Sequence, residues 1–433
     1  MSRHATAQWW GQHHLPEAVH PLTTPRRHAS GRTRCRGRCV GSSIGVMSDT
    51  PAGPPDDWFS GMPLFGDMAR AMRGQGPINW DAARQFAQLG ATGGESEPNV
   101  DPAARAAILD LARIAAMHVG DVTGTDVSDI EPSCVTRSAW ATATLEAYRP
   151  LFTDLATSLA ADTSDTGDDP MAQMMAGITQ MMAPAMLGMA VGSMVGHLAQ
   201  GAFGVHDLPI PRARAVLELV PANVDGFATD WSLAADQMRL WVLAHEYAGH
   251  VVLTAPGLGP ALADMVRTHV GAFRPDPDAV GQRLASLDMS GDDPFTAIQQ
   301  ALGDPEVLLG AVRSPAQLEM EPRLDAAVAA VVGLTDWLVD AVAVRLVGGE
   351  ALTIAEAVRR RRIEASPADV FVHRLLGIRL DDEQVRRGKQ FVQGLVDRRG
   401  DDAVSALLSL DDACPTPSEL DAPGLWLARV GLD

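Results

Sequence analysis

From Ile78 onward, apolar residues return at three- and four-residue spacings, the period of helices that bury one face. The segment 78–89 follows Gly74-Gln-Gly76-Pro77 and predicts a helix capped at Asn79. Segments 102–119 and 136–159 predict two more, the second interrupted near Pro150. Strand alternation is hard to find, and no internal repeat stands out. Acidic, glycine-containing stretches at 162–170 and 288–294 read as surface loops, the first being where the chain could divide into sub-domains. The pattern predicts a mainly α-helical fold.

One stretch departs from amphipathic periodicity. Residues 171–206 hold no Asp, Glu, Lys or Arg, and methionine recurs at 171, 174, 175, 181, 182, 186, 189 and 194. That length would cross a bilayer, and Gly188, Gly192 and Gly196 form overlapping G-x-x-x-G pairs. Polar residues recur through the run, however, Pro184 predicts a break, and neither flank carries an aromatic belt or a Lys/Arg cluster. The expectation is a buried central helix of a protein without a membrane span, notched by glycine so that neighbours approach closely, with methionines filling irregular gaps.

Composition changes this picture at the N-terminus. Residues 1–46 carry seven arginines against one acid, Glu17, with no apolar periodicity, and read as a disordered Arg/His-rich leader. Met47 offers itself as the true start, and 47–433 as a single domain. Cys35 and Cys39 beside histidines suggest zinc only weakly, and no site is assigned to them. The whole chain is acidic, with a formal charge of −19, which argues against a nucleic-acid partner. Four scattered cysteines suit a reducing compartment, so a cytoplasmic location is expected.

Chemistry concentrates in Arg239-Leu-Trp-Val-Leu-Ala-His245-Glu246-Tyr-Ala-Gly249-His250, inside a long apolar helical pattern. In H-E-x-x-H, histidines four apart reach one zinc and the glutamate polarises the attacking water. Here the second histidine is five residues away, about 140° round an α-helix, and the fourth position is Gly249. Three readings follow. A π-bulge could bring His245 and His250 together as metal ligands, with Glu246 catalytic. Glu246 and His250, four apart, could share a metal or a proton. Or Glu246 pairs with an arginine and both histidines are structural. The dispersed His197, His206, His269 and His373 could complete a site, and the run from Arg359 to Arg362 reads as a solvated helix terminus.

More than this motif matches a known family. In order along the chain stand Pro63-Leu-Phe-Gly66, Pro77-Ile-Asn-Trp-Asp81, Val135-Thr-Arg-Ser-Ala-Trp140, the Gly188/Gly192/Gly196 helix and Pro221-Ala-Asn-Val224. Arg239-Leu-Trp241, His245-Glu246, Arg359 to Arg362, Leu375-Leu-Gly377, Arg386-Arg-Gly388-Lys-Gln-Phe-Val392 and Leu425-Trp-Leu-Ala-Arg429 continue the series. The chain from Trp58 to Val430 thereby resembles the zincin-like hydrolases and zinc-dependent metalloproteases of high-GC Gram-positive bacteria, related to a coenzyme-F420-associated branch. The resemblance implies a zincin-like helical fold, His245 as first zinc ligand and Glu246 as the catalytic acid. It puts the second ligand on Gly249 and a glutamate ligand in Val331-Val332-Gly333, where valine stands. Two functions follow as expectations: a zinc-dependent peptidase-like hydrolase, or a pseudoenzyme that binds a peptide or protein partner. A bulge at 245–250 would favour the first; an α-helical register without a third ligand near His245 would favour the second.

Overall fold

The computed structural model describes residues 76–160, 170–214, 216–274, 314–363, 372–373 and 375–432, with backbone alone at 160, 170–181 and 362–363. The leader with Cys35 and Cys39, the Pro63–Gly66 block, most of 162–170 and all of 288–294 lie outside the described residues. Helices dominate the rest, as the periodicity predicts. The described α-helices to Thr254 are α1 (Trp80–Thr92), α2 (Pro102–Thr123), α3 (Arg137–Ala147), α4 (Arg149–Ala160), α5 (Pro170–Gly201), α6 (Pro221–Asp230) and α7 (Ala235–Thr254). There follow α8 (Gly259–Gly271), α9 (Pro315–Val347), α10 (Ala351–Ile363), α11 (Asp382–Arg399), α12 (Asp401–Ser409), α13 (Pro417–Asp421) and α14 (Pro423–Val430). Among the described residues the strands are β1 (Ser133–Cys134) and β2 (Glu218–Leu219), a two-residue parallel pair.

Local chemistry sets the boundaries. Asn79 caps α1, its side-chain oxygen accepting from the amides of Asp81 and Ala82. Thr136 caps α3, and the chain breaks at Tyr148 before resuming as α4, with Pro150 in that helix's first turn. Ser314 opens α9 with a reciprocal capping box to Gln317.

Residues 171–201 of the charge-free segment form one helix, α5, and Pro184 does not break it. Proline removes one amide from the ladder and leaves the Gln180 carbonyl without its helical donor, a cost the helix carries at that one position; separately, the Asn79 amide donates to the Pro184 carbonyl at 2.8 Å and ties α5 to the start of α1. The notch reading holds closely: a Cβ on Gly188, Gly192 or Gly196 would come within 2.4, 2.2 and 2.6 Å of the Asn79, Ala83 and Ala87 carbonyl oxygens. These glycines let α5 lie backbone to backbone on α1. The methionines fit their assigned role less well. Met194 is buried, but Met182 is exposed and Met186 and Met189 are half-buried; those at 171–181 lie outside the described side chains.

At the centre stand α7 and α9. Every residue from Trp241 to Leu253 is buried, because α2, α6, α8 and α9 all pack on α7. α9 also lies against α11, and its buried run from Leu324 to Asp336 is a core helix by composition. By length and composition alone, Met182–Gly201 and Pro315–Arg361 could each cross a membrane, yet 78% of the most apolar window in the second is covered by the protein.

Candidate metal centre

α7 keeps an α-helical register throughout, so no π-bulge draws His245 and His250 together. The chain brings a loop to the helix instead. After α5, residues 202–208 run against the Glu246 side of α7 and are held on several sides. The Asn223 side-chain amide donates to the carbonyls of Ala199 and Ala202 at 2.9 and 2.7 Å. The Trp140 indole N–H donates to the Gly204 carbonyl at 3.0 Å, and the Val220 amide to the Phe203 carbonyl at 2.9 Å. Trp140→Phe deletes this buried donor and shortens the ring, leaving a small cavity. It should cost about 2–4 kcal/mol of stability, measured by denaturant unfolding; an unchanged midpoint would show that the indole does not hold the loop.

Glu246 is the fixed point of the site. It has no exposed surface, and Gly204 opposite must be glycine, since a Cβ there would lie 2.4 Å from the Glu246 carboxyl carbon. The carboxylate accepts from the Val205 amide at 3.0 Å, the His206 amide at 3.2 Å and His206 Nδ1 at 2.9 Å. His245 Nδ1 lies 3.6 Å from its other oxygen. Burial pushes this carboxyl upward, but the imidazoles of His206 and His245 outweigh that and hold its pKa at about 2. Glu246 is therefore an ionised buried carboxylate, paired with histidines and not with the arginine that a purely structural reading expects.

Around it the remaining side chains take distinct places. His245 is stacked under Trp241, ring centroids 5.6 Å apart and nearly parallel. Asp207 accepts from the Phe203 amide at 2.5 Å and faces the Arg361 guanidinium at 3.4 Å. Arg361 in turn lies 3.8 Å above the Phe203 ring. Within the run read as a solvated helix end, this arginine is thus bound to the Asp207 loop, while Arg360 keeps that role with an ion pair to Glu356. His250 faces the His206 ring edge-on at 6.0 Å, and burial followed by the His206 charge keeps its pKa below the ordinary value. His197 is exposed and bonded within its own helix, and His269 is buried beside Gln317.

Among the described residues, one group places donor atoms for a metal: Asp207, His245 and Glu246, all within 4.8 Å of one another. His250 is not in that group. One imidazole nitrogen and two carboxylate oxygens suit zinc or another divalent ion, so the residues present fit the cofactor despite the missing second helical histidine. Asp207 and His245 border a narrow cleft of about 30 Å³, room for one or two waters, lined also by His206, Gly249, Val332, Thr335 and Asp336, while Glu246 lies behind them without exposed surface. Asp207 is the residue that reading the chain by motif overlooks. Its signal is its position: it is the first charge after the charge-free segment, next to a histidine.

The profile of the zincin-like metallopeptidase family matches residues 78–427. The chain belongs to that family. A solved structure from Chloroflexus aurantiacus, described as "a putative hydrolase with a novel fold", superposes with a TM-score of 0.53 at 19% identity, covering 82% of this chain and 99% of that one. At that identity the likeness is one of fold. A search of curated proteins gives no match. In this zincin-like metallopeptidase family member the first helical histidine and the glutamate stand in place on α7, and the second histidine is a glycine.

Proposed function

We propose that this chain is a metal-dependent hydrolase of the zincin-like class whose ion is held by Asp207, His245 and Glu246. The observation that carries the reading is the convergence of these three donors within 4.8 Å, Asp207 and His245 on the lining of one cleft and Glu246 buried behind them, with Asp207 supplied by the loop where the helix lacks a ligand. A zinc ion there would supply a polarised water and Lewis-acid activation of a carbonyl. The chain's own residues do the remainder. The loop anchors at Trp140 and Asn223 hold Asp207 against α7. Trp241 fixes the His245 ring plane, and the apolar wall of Leu253, Val331, Val332 and Val385 excludes bulk water from one side. A peptide or protein is the substrate class we propose on family membership alone, since a cleft with room for one or two waters does not itself select a side chain. The motif blocks quoted above support a place in the high-GC Gram-positive branch related to the F420-associated proteins. The free thiols of Cys134 and Cys414 support a cytoplasmic location.

A second reading, the pseudoenzyme scaffold, has one observation in its favour. The Glu246 carboxylate is occupied by loop amides and His206, where a metallopeptidase glutamate faces the attacking water. Metal content separates the two. The full chain purified without chelator should carry close to one equivalent of zinc, and His245→Ala and Asp207→Ala should each lose it, read by elemental analysis. Wild-type protein that takes up no zinc even on reconstitution would leave the scaffold as the function.

A further inference from the structure

Position 249 is where an H-E-x-x-H helix carries its second imidazole, and in this chain a different imidazole fills the space beside it. A Cβ on Gly249 would meet His206 Cβ at 2.8 Å and Cγ at 3.0 Å, so the His206 ring stands directly on the α7 backbone. From there Nδ1 reaches Glu246 Oε2 at 2.9 Å. Charge fixes the direction of this bond: an ionised carboxylate can only accept, so Nδ1 carries the proton and donates. Two amides, from Val205 and His206, converge on the same oxygen at 3.0 and 3.2 Å. Oε2 is thus tied most closely to the loop, and Oε1, which takes a share of the His206 amide at 3.3 Å, is the oxygen that faces His245 Nδ1 at 3.6 Å.

We infer that His206 is a positioning residue of the metal centre: it locks the Glu246 carboxylate so that Glu246, His245 and the adjacent Asp207 present their donors together, and it does so in space that only a glycine at 249 leaves open. The inference rests on the metal-holding reading above. It adds a residue that the helix motif does not contain, and it makes the loop imidazole and any side chain at 249 mutually exclusive. Carboxylate orientation by an outer partner is worth about 10–100-fold in metal affinity.

The test is zinc affinity of the full chain, measured by competition with a chromophoric chelator, with circular dichroism and thermal midpoints alongside. His206→Asn places an amide N–H at the same distance from Cβ as Nδ1 and should keep the affinity within about threefold. His206→Gln, whose amide reaches past that point, and His206→Leu, which has no donor, should each lose about 10–100-fold. Full affinity in His206→Leu, or an equal loss in the Asn and Gln variants, would overturn the assignment while leaving the metal reading intact; wild type without zinc affinity would remove both. The steric half has its own readout. Gly249→Ala should lower the thermal midpoint in wild type but not in a His206→Gly background, and equal losses in the two backgrounds would overturn it.

Discussion

Gly388→Val should leave little folded protein. Gly388 on α11 and Gly333 on α9 meet backbone to backbone. A Cβ on Gly388 would lie 1.8 Å from the Ala329 carbonyl oxygen, and one on Gly333 would lie 2.1 Å from the Gly388 carbonyl carbon. The obstructing atoms are main chain, so no rotamer change makes room and the two helices must part. Parting them opens the core where Phe391, Val392 and Leu395 from α11 are buried. Overpacking that side chains can relieve costs about 1–3 kcal/mol. Here relief is blocked, so about 3–5 kcal/mol for Gly388→Ala, and for Val a loss comparable to the roughly 5–15 kcal/mol net stability of a domain, follows. Because α9 also carries Val331, Val332, Thr335 and Asp336 to the cleft, a surviving Gly388→Ala protein should show weakened zinc binding as well. Denaturant unfolding with soluble yield checks this; a Gly388→Ala variant within a few degrees of wild type would show that the crossing yields cheaply.

This contact explains what in the chain was legible. Apolar spacing at 3.6 residues, Asn79 before α1 and the glycine series on α5 each have a local physical cause, so they announce helices, a cap and a close crossing without tertiary information. Pro184 misleads because the local cost of an interior proline is outweighed by packing that local sequence does not show: α5 is held on α1, through the glycine notch and the Asn79 amide on the Pro184 carbonyl, by residues about a hundred positions away. The same logic governs the site. His245 and Glu246 are readable because they stand side by side on one helix, whereas Asp207 reaches them through a loop whose path is set by Trp140, Asn223 and Val220. The sequence blocks that carry the family resemblance are largely these supports: Trp140 and Asn223 hold the loop, Arg239 pairs with Asp225 at 2.8 Å on α6, and Gly388 makes the crossing. Arg361 illustrates the converse, since a run of four arginines reads as solvent-facing until one of them is found over an aromatic ring beside an aspartate.

Glu246→Ala should cost about 3–5 kcal/mol and abolish metal binding together. Removing this carboxylate leaves the Val205 and His206 amides and His206 Nδ1 without their acceptor in the interior, and it removes the anchor that joins the loop to α7. Glu246→Gln should recover only part of the stability, because its amide N–H₂ faces one of these donors with another donor. The titration of the wild-type group gives an independent check with a definite sign. The carboxyl is pulled from an ordinary value of 4.5 to about 2 in the folded state. Its contribution, roughly 3 kcal/mol, is therefore fully present above pH 4.5 and is lost as pH falls through 2. Urea unfolding of metal-free protein across that window should show wild type losing this increment and Glu246→Gln, which has nothing to protonate at 246, lacking it. Parallel curves for the two proteins would mean that the Glu246 charge does not hold the loop. The scale of the effect then bears on function, since the interaction that keeps Asp207 against His245 is also a sizeable share of a domain's net stability; loss of metal and loss of fold should converge in this one residue, while Asp207→Ala should lose the metal at a smaller cost to the fold, about 1–2 kcal/mol for the Phe203 amide and Arg361 it leaves unpaired.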